Sequence, residues 1–274
     1  MPKEVYFSII MPTLNSEKTI EKALSSVRNQ DFDQDKVEIL VLDGGSRDKT
    51  LEIAQKFGVR VIFNEKVQQE YAKHLGILNS EGKVCLFLDS DEILEDKDSL
   101  KKRQRIYEEF KDIKVILFGG YKKPKGASSI NDYINYFSDP FSYFVSGISM
   151  DSSVITSSWK RRFPKFKDVK DAVIFNVGDE ELPPIDMCAG NCFLKDYYLD
   201  LVGKEIKNPM IVPEIFYKIV RSTGCFAMLK NSPTVHYSAD SVKKFFKKLD
   251  WRVKVNIHFK NIPGTGYSNR ESLQ

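Results

Sequence analysis

Cysteine is scarce in this chain and long apolar runs are missing, and each shortage removes a class of protein. Four cysteines (Cys85, Cys188, Cys192 and Cys225) in 274 residues are too few for a disulfide-built scaffold. The three residues between Cys188 and Cys192 do not give the paired spacing of a zinc ribbon. A reducing, cytoplasmic setting is expected. No stretch reaches the roughly 18 consecutive apolar residues of a spanning helix; the nearest, Tyr133 to Met150, is interrupted by Asn135, Asp139 and Pro140. The first residues hold no basic segment followed by a long apolar one, so neither a secretion signal nor a membrane crossing is expected. A net charge of only +4 lacks the excess that nucleic-acid binding demands, and no nucleic-acid partner is expected. Internal repeats and low-complexity linkers are also absent.

What is present is an alternation of short apolar runs with amphipathic ones. Val5 to Met11 is a β-prone run ended by Pro12, and Ile20, Ala23, Leu24 and Val27 follow at helical spacing, with Asn15 or Ser16 placed to cap. Val37 to Leu42 predicts a second strand, closed by Asp43-Gly44-Gly45. A helix then carries Leu51, Ile53, Ala54 and Phe57 and stops at Gly58. Val59 to Phe63, a helix face of Tyr71, Leu75 and Leu78, and the fully apolar Val84 to Leu88 continue the pattern. A charged helix over about 97–111 and a strand over 113–118 end it. Beyond Tyr121 the pattern becomes irregular and aromatic, with order returning at 188–194, in a helix over 213–223 and in a strand over 225–229. The fold class expected is α/β, a mostly parallel sheet flanked by helices. Residues 1–120 would form the first half of the domain, 121–240 a mixed second half of the same domain, and 241–274 a basic amphipathic extension.

In such a sheet ligands collect at the carboxyl ends of the strands. Those ends read Pro12-Thr13-Leu14-Asn15, Asp43-Gly44-Gly45-Ser46 and Asp89-Ser90-Asp91-Glu92. Two carboxylates one residue apart on a turn can address a hard cation and a ribose together, because Mg2+ or Mn2+ accepts few carboxylates and fills its shell with phosphate and water. An isolated D-x-D is usually a solvated turn; this one follows the only wholly apolar strand of the region, which gives it weight.

The segments 9–15 (Ile-Ile-Met-Pro-Thr-Leu-Asn), 41–50 (Val-Leu-Asp-Gly-Gly-Ser-Arg-Asp-Lys-Thr) and 86–92 (Leu-Phe-Leu-Asp-Ser-Asp-Glu) resemble, in order, the motifs of family 2 glycosyltransferases of the GT-A fold. They span about the first third of the chain. The resemblance implies Pro12, Thr13, Asn15, Glu17 and Asp43 around the nucleoside, Asp89 and Ser90 at the ribose, and Asp89 and Asp91 on a divalent cation, Mn2+ or Mg2+. Gly44 stands where a second Asp is commoner. Lys73 occupies the region of the family's Arg-Asn pair and could approach the pyrophosphate, with a solvated helix charge as the competing reading. Further on, the segment 188–194 followed by Val202-Gly203 is similar to the family's acceptor side. Of the acidic pair that normally follows, only Glu214 remains, slightly out of register. Glu214 is the candidate general base, against a helix first-turn acid; Asp186 is the alternative base. His236 matches a metal or phosphate contact, against a buried structural histidine.

The activity implied is inverting transfer from a nucleoside diphosphate sugar, by family habit a UDP-sugar, to a hydroxyl or phosphate acceptor in polysaccharide or glycolipid assembly. A nucleotidyltransferase is the rival enzyme class, although it would want a Gly-rich basic loop after the first strand. A non-catalytic nucleotide-sugar-binding protein is the rival outside enzymes. Seven basic residues face one acid between Ser241 and Asn261. With Val242, Phe245, Phe246, Leu249 and Val253 on one helical face and Lys243, Lys244, Lys247 and Lys248 beside it, the segment reads as an interfacial helix, against the alternative that it packs on its own domain. Trp159 to Lys167 and the aromatics from Tyr133 to Phe144 were placed with it, giving a lipid-linked acceptor, peripheral contact and a location at the cytoplasmic face of a membrane as expectations.

Overall fold

The computed structural model describes residues 4–137, 143, 146–178, 180–183, 185, 187–239 and 241–259; of residues 209–211, 251, 252 and 254–259 it describes the backbone alone. Asp186 lies outside the described residues. Strands β1 (Phe7–Thr13), β2 (Val37–Asp43), β3 (Arg60–Phe63) and β4 (Val84–Phe87) run parallel, connected by helices α1 (Ile20–Arg28), α2 (Thr50–Gln55) and α3 (Gln69–Asn79). Alternation along β1 explains why helices cover both faces. Ile10 packs with Leu40, Leu42 and Phe87 on one side, whereas Phe7, Ile9 and Met11 meet Ile20, Ala23, Leu24 and Val27 of α1 on the other.

Beyond the short β5 (Glu92–Leu94) come α4 (Ser99–Glu109), β6 (Val115–Leu117), β7 (Tyr121–Lys122), α5 (Ser129–Phe137), α6 (Ile155–Arg162), β8 (Phe166–Asp168) and β9 (Ala172–Asn176). The chain continues through β10 (Cys192–Leu194), α7 (Lys195–Val202), α8 (Ile215–Thr223), β11 (Cys225–Leu229), β12 (Thr234–His236) and α9 (Val242–Phe259). Nine strands form one sheet in the order β3-β2-β1-β4-β10-β6-β11-β9-β8, in which β10 is antiparallel to both neighbours. This is the α/β sheet with a mixed second half that the sequence predicts. A separate three-stranded sheet, β5-β12-β7, sets His236 opposite Glu92 and Thr234 opposite Tyr121. Neither β12 nor β7 was expected.

Three local readings are corrected. The inward face of α3 is Ala72, Lys73, His74, Gly76 and Ile77, while Leu78 is exposed. Gly76 makes the closest approach, since a Cβ there would overlap Ile10, while Ile77 and the partly buried Leu75 pack on the same core. Of the cluster assigned to a surface, Trp159 and Phe163 are wholly buried, with ring centroids 5.6 Å apart, and belong to the aromatic core with Phe175, Phe216 and Phe226. The third concerns α9, which is divided: Phe245 is buried against Tyr133 of α5 with centroids 5.6 Å apart, whereas Val242, Phe246 and Val253 are exposed.

Candidate functional site

Register decides where the site forms. Thr13 lies opposite Asp43 at the common end of β1 and β2, and the loops that leave them are hydrogen-bonded to each other along their length. The Asn15 amide donates to Ser46 Oγ (2.8 Å) and the Arg47 amide to Asn15 Oδ1 (2.9 Å). The Ser16 amide donates to Thr50 Oγ1 (2.7 Å), and the Glu17 side chain accepts from the Lys49 amide (3.2 Å). Asn15 adopts φ 50°, a left-handed conformation that Asn tolerates better than most residues. Asp43 is buried and closes its own turn, accepting from the Gly45 and Ser46 amides, each at 2.9 Å.

A cavity of about 650 Å³ opens at these strand ends, within the range of small-molecule sites. Pro12, Thr13, Asn15, Glu17, Lys73, Asp89, Ser90, Asp91 and His236 all line it. Asp43 and Glu214 do not appear in the lining, which takes Gly44 from the Asp43 turn and Val212 and Pro213 from the segment before α8. Glu214 is buried and faces Lys218 one turn along, at 3.5 Å. Burial raises its carboxyl above the ordinary range, with Lys218 opposing. Lys73 is buried, and its ammonium donates to the Met187 carbonyl (2.7 Å) beside the face of Phe87 (5.4 Å).

The acidic turn is held from three sides. Ser90 shares a hydroxyl hydrogen bond with Ser16 (2.8 Å), and Asp89 Oδ2 accepts from Gln69 Nε2 of α3 (2.7 Å). Glu92, almost wholly buried, accepts from the amides of Asp89 (2.8 Å) and Ala189 (2.9 Å) and from the Tyr121 hydroxyl (2.9 Å). Tyr121 also stacks on the His236 ring, centroids 4.6 Å apart, and His236 Nε2 stands 3.6 Å from Asp91 Oδ2. The two aspartates are driven apart. Burial raises the Asp89 carboxyl, Lys73 opposing and Asp91 adding to the rise, whereas at Asp91 the same burial is outweighed by His236 and Lys248, which hold it below the usual range.

Four buried polar atoms without hydrogen-bond partners belong to residues that border this one cavity: Thr13 Oγ1, Asn64 Oδ1, Asp89 Oδ1 and His236 Nδ1. Unpartnered buried polar atoms are costly, and their gathering marks a place where a polar ligand supplies the partners. Asn64, Gln69, Glu92, Tyr121 and Lys248 were not singled out as site residues from sequence. Only Glu92, adjoining the acidic turn, carried a signal. Among the described residues no three His, Cys, Asp or Glu side chains could hold an ion by themselves. Asp91 and the unpartnered Oδ1 of Asp89 fit a hard cation that draws its other ligands from phosphate and water, as Mn2+ and Mg2+ do.

The family model for glycosyl transferase family 2 matches residues 8–150, the segment that carries every strand-end loop of the cavity up to the acidic turn. The chain belongs to glycosyl transferase family 2. It is accordingly a glycosyltransferase, and the match disfavours the nucleotidyltransferase reading. Among relatives, dolichyl N-acetyl-alpha-D-glucosaminyl phosphate 3-beta-D-2,3-diacetamido-2,3-dideoxy-beta-D-glucuronosyltransferase of Methanococcus voltae is 28% identical over 262 residues, 89% of this chain and 70% of that protein. Poly(ribitol-phosphate) beta-N-acetylglucosaminyltransferase TarS of Staphylococcus aureus is 26% identical over 236 residues, 78% of this chain but only 39% of that protein. The crystal structure of TarS superposes with a TM-score of 0.57 at 18% identity, over 98% of this chain and 42% of that one. Glucosyl-3-phosphoglycerate synthase of Mycobacterium tuberculosis, solved with Mn2+, UDP and glucosyl-3-phosphoglycerate, gives a TM-score of 0.52 at 15% identity, over 93% of this chain and 79% of that one. Likeness at these identities establishes the GT-A fold alone.

Proposed function

We propose that the chain moves a sugar from a UDP-sugar to a hydroxyl or phosphate of a lipid-linked acceptor, with inversion at the anomeric carbon. The observation that carries this reading is the set of unpartnered buried polar atoms on residues that border one cavity beside the Asp89-Ser90-Asp91 turn. Uridine as the base and a divalent cation gain support from the mycobacterial neighbour, and a lipid-linked acceptor from the dolichyl phosphate in the archaeal relative's name.

In this reading the loop Pro12 to Glu17, with Asn64, holds the nucleoside, and Asp89 and Ser90 hold the ribose side. Asp43 acts at one remove by shaping the turn that presents Gly44. Asp91, with Asp89, would hold Mn2+ or Mg2+, which would supply charge stabilisation for the departing nucleotide. The acceptor oxygen forms a bond to the anomeric carbon from the face opposite the nucleotide. The bond from that carbon to the phosphate oxygen breaks, UDP leaves, and the acceptor's proton passes to a carboxylate. Glu214, the first candidate from the sequence, faces Lys218 and is not part of the cavity lining, which leaves Asp186 as the carboxylate proposed for this step.

Work at a membrane surface is part of the same proposal. It is supported by the exposed edge Val242, Phe246 and Val253 of α9 and by the exposed Tyr133 and Tyr136 of α5. No helix among the described residues is long and apolar enough to cross a membrane. The experiment that tests the activity follows UDP release from a panel of UDP-sugars with a polyprenyl-phosphate-linked sugar as acceptor. Acceptor-dependent, EDTA-sensitive release is expected from at least one donor; release that ignores both acceptor and EDTA would overturn the reading.

A further inference from the structure

Four side chains with cationic or ionisable nitrogens border the cavity among the described residues: Lys18, Lys73, His236 and Lys248. A nucleoside diphosphate beside Asp89 and Asp91 carries more negative charge than one divalent cation offsets, so a cationic side chain on the cavity wall is suited to meet the remainder. Lys18 is exposed, Lys73 is directed to the Met187 carbonyl and His236 faces Asp91. Lys248 differs from all three. It is partly buried, its ammonium makes one long contact, to the Ser238 carbonyl at 3.3 Å, and it has no ion pair among the described residues. An ammonium has three donors, so two remain for a ligand.

The placement of Lys248 follows from how α9 docks. The strand-to-helix segment is tied to α5, with Asn131 Nδ2 donating to the Ala239 carbonyl (2.6 Å) and Ser238 Oγ donating to Asn131 Oδ1 (2.9 Å). Phe245 then seats against Tyr133. Lys248 follows Phe245 by three residues, nearly one turn, and reaches the cavity, while Lys243, Lys244 and Lys247 of the same helix stay exposed. Lys248 and the acidic turn Asp89-Ser90-Asp91 border the same cavity.

We propose that Lys248 is the side chain that binds the donor's diphosphate, so that the C-terminal helix completes the nucleotide site. This rests on the reading of the cavity as a nucleoside diphosphate site. The basic segment thereby has two uses, one lysine turned to the donor and three to the outside.

The test is calorimetric titration of the full chain with UDP in Mn2+, with uridine measured by competition, for the parent and for Lys248→Met, Lys248→Arg and Lys247→Met. Lys248→Met is expected to weaken UDP by about 10- to 100-fold, the loss of one hydrogen bond to a charged group, while uridine affinity stays unchanged. Lys248→Arg should recover most of the UDP affinity and Lys247→Met should match the parent. UDP affinity in Lys248→Met equal to the parent's, or a fall shared equally by UDP and uridine, would overturn the assignment while leaving the site reading intact. Failure of the parent itself to bind UDP would overturn the site reading and this assignment with it.

Discussion

Asp89 and Asp91 are one residue apart on the same turn and yet meet opposite electrostatics, and that contrast sets their uses. His236 and Lys248 hold the Asp91 carboxyl below the usual range, which suits the cation role proposed for it, while Asp89, enclosed and bonded to Gln69, has one oxygen without a partner. Asp186→Asn is expected to lower kcat by ~10²–10⁴-fold, the usual worth of a general base, with donor KM little altered. Glu214→Gln should leave kcat near the parent value. Steady-state kinetics with saturating acceptor checks this, and the reverse pattern would return the role to Glu214. Motif residues at the strand ends were legible because chain order alone places them there. Asn64, Gln69, Tyr121 and Lys248 were not, since each reaches the cavity through packing between distant segments.

Among the elements, α3 shows how tightly the site depends on its scaffold. Gly76 lets the helix lie directly on Ile10 of β1, and the same helix carries Gln69 to Asp89 and Lys73 to the Met187 carbonyl. Gly76→Ala should cost about 1–3 kcal/mol through overpacking, read as a lower melting temperature accompanied by weaker UDP binding. An unchanged melting temperature would contradict the close approach. The hydrophobic pattern found the helix and Leu75 but set the exposed Leu78 on the inward face, because the close contact at Gly76 leaves no hydrophobic signal.

The link from β5 to α4 gives a pH dependence. Burial would raise the Asp96 carboxyl, but hydrogen bonds from Lys102 (2.7 Å), the Asp98 amide and Ser232 outweigh it and depress it. The unfolded chain therefore takes up this proton first. The stability Asp96 contributes is complete above the unfolded carboxyl range near ~3.9 and is lost as pH falls through the lower folded value. Melting curves should show Asp96→Asn below the parent at pH 7 and the gap closing under about pH 4; a gap independent of pH would contradict this.

For the whole molecule, the α/β class and the leading parallel strands were legible because strand and helix alternate regularly up to β6; the mixed half was implied by the family resemblance, and the strand order was not legible. The small β5-β12-β7 sheet, which brings Glu92, Tyr121 and His236 together, was not legible, because two- and three-residue strands carry no periodicity of their own. The division of α9 between core and surface was equally hidden, since Phe245 and Phe246 are chemically alike and only packing separates them. At this scale the expected outcome is co-sedimentation with anionic vesicles that weakens with salt, each Lys near such a surface being worth ~1 kcal/mol. A Lys243/Lys244/Lys247→Glu variant should lose it, and absence of binding at low salt would refute the membrane proposal.

The central claim, a donor site completed by a cation held on Asp91, is tested most directly by calorimetric titration of UDP with and without Mn2+. The protein alone offers no three-residue cation site among its described residues, so Mn2+ by itself should bind too weakly to register. UDP should bind at one site per chain, at least about 10-fold more tightly with Mn2+ than in EDTA, and Asp91→Asn should abolish that difference. No UDP binding in the presence of Mn2+, or an affinity that is the same with and without the metal, would contradict the account.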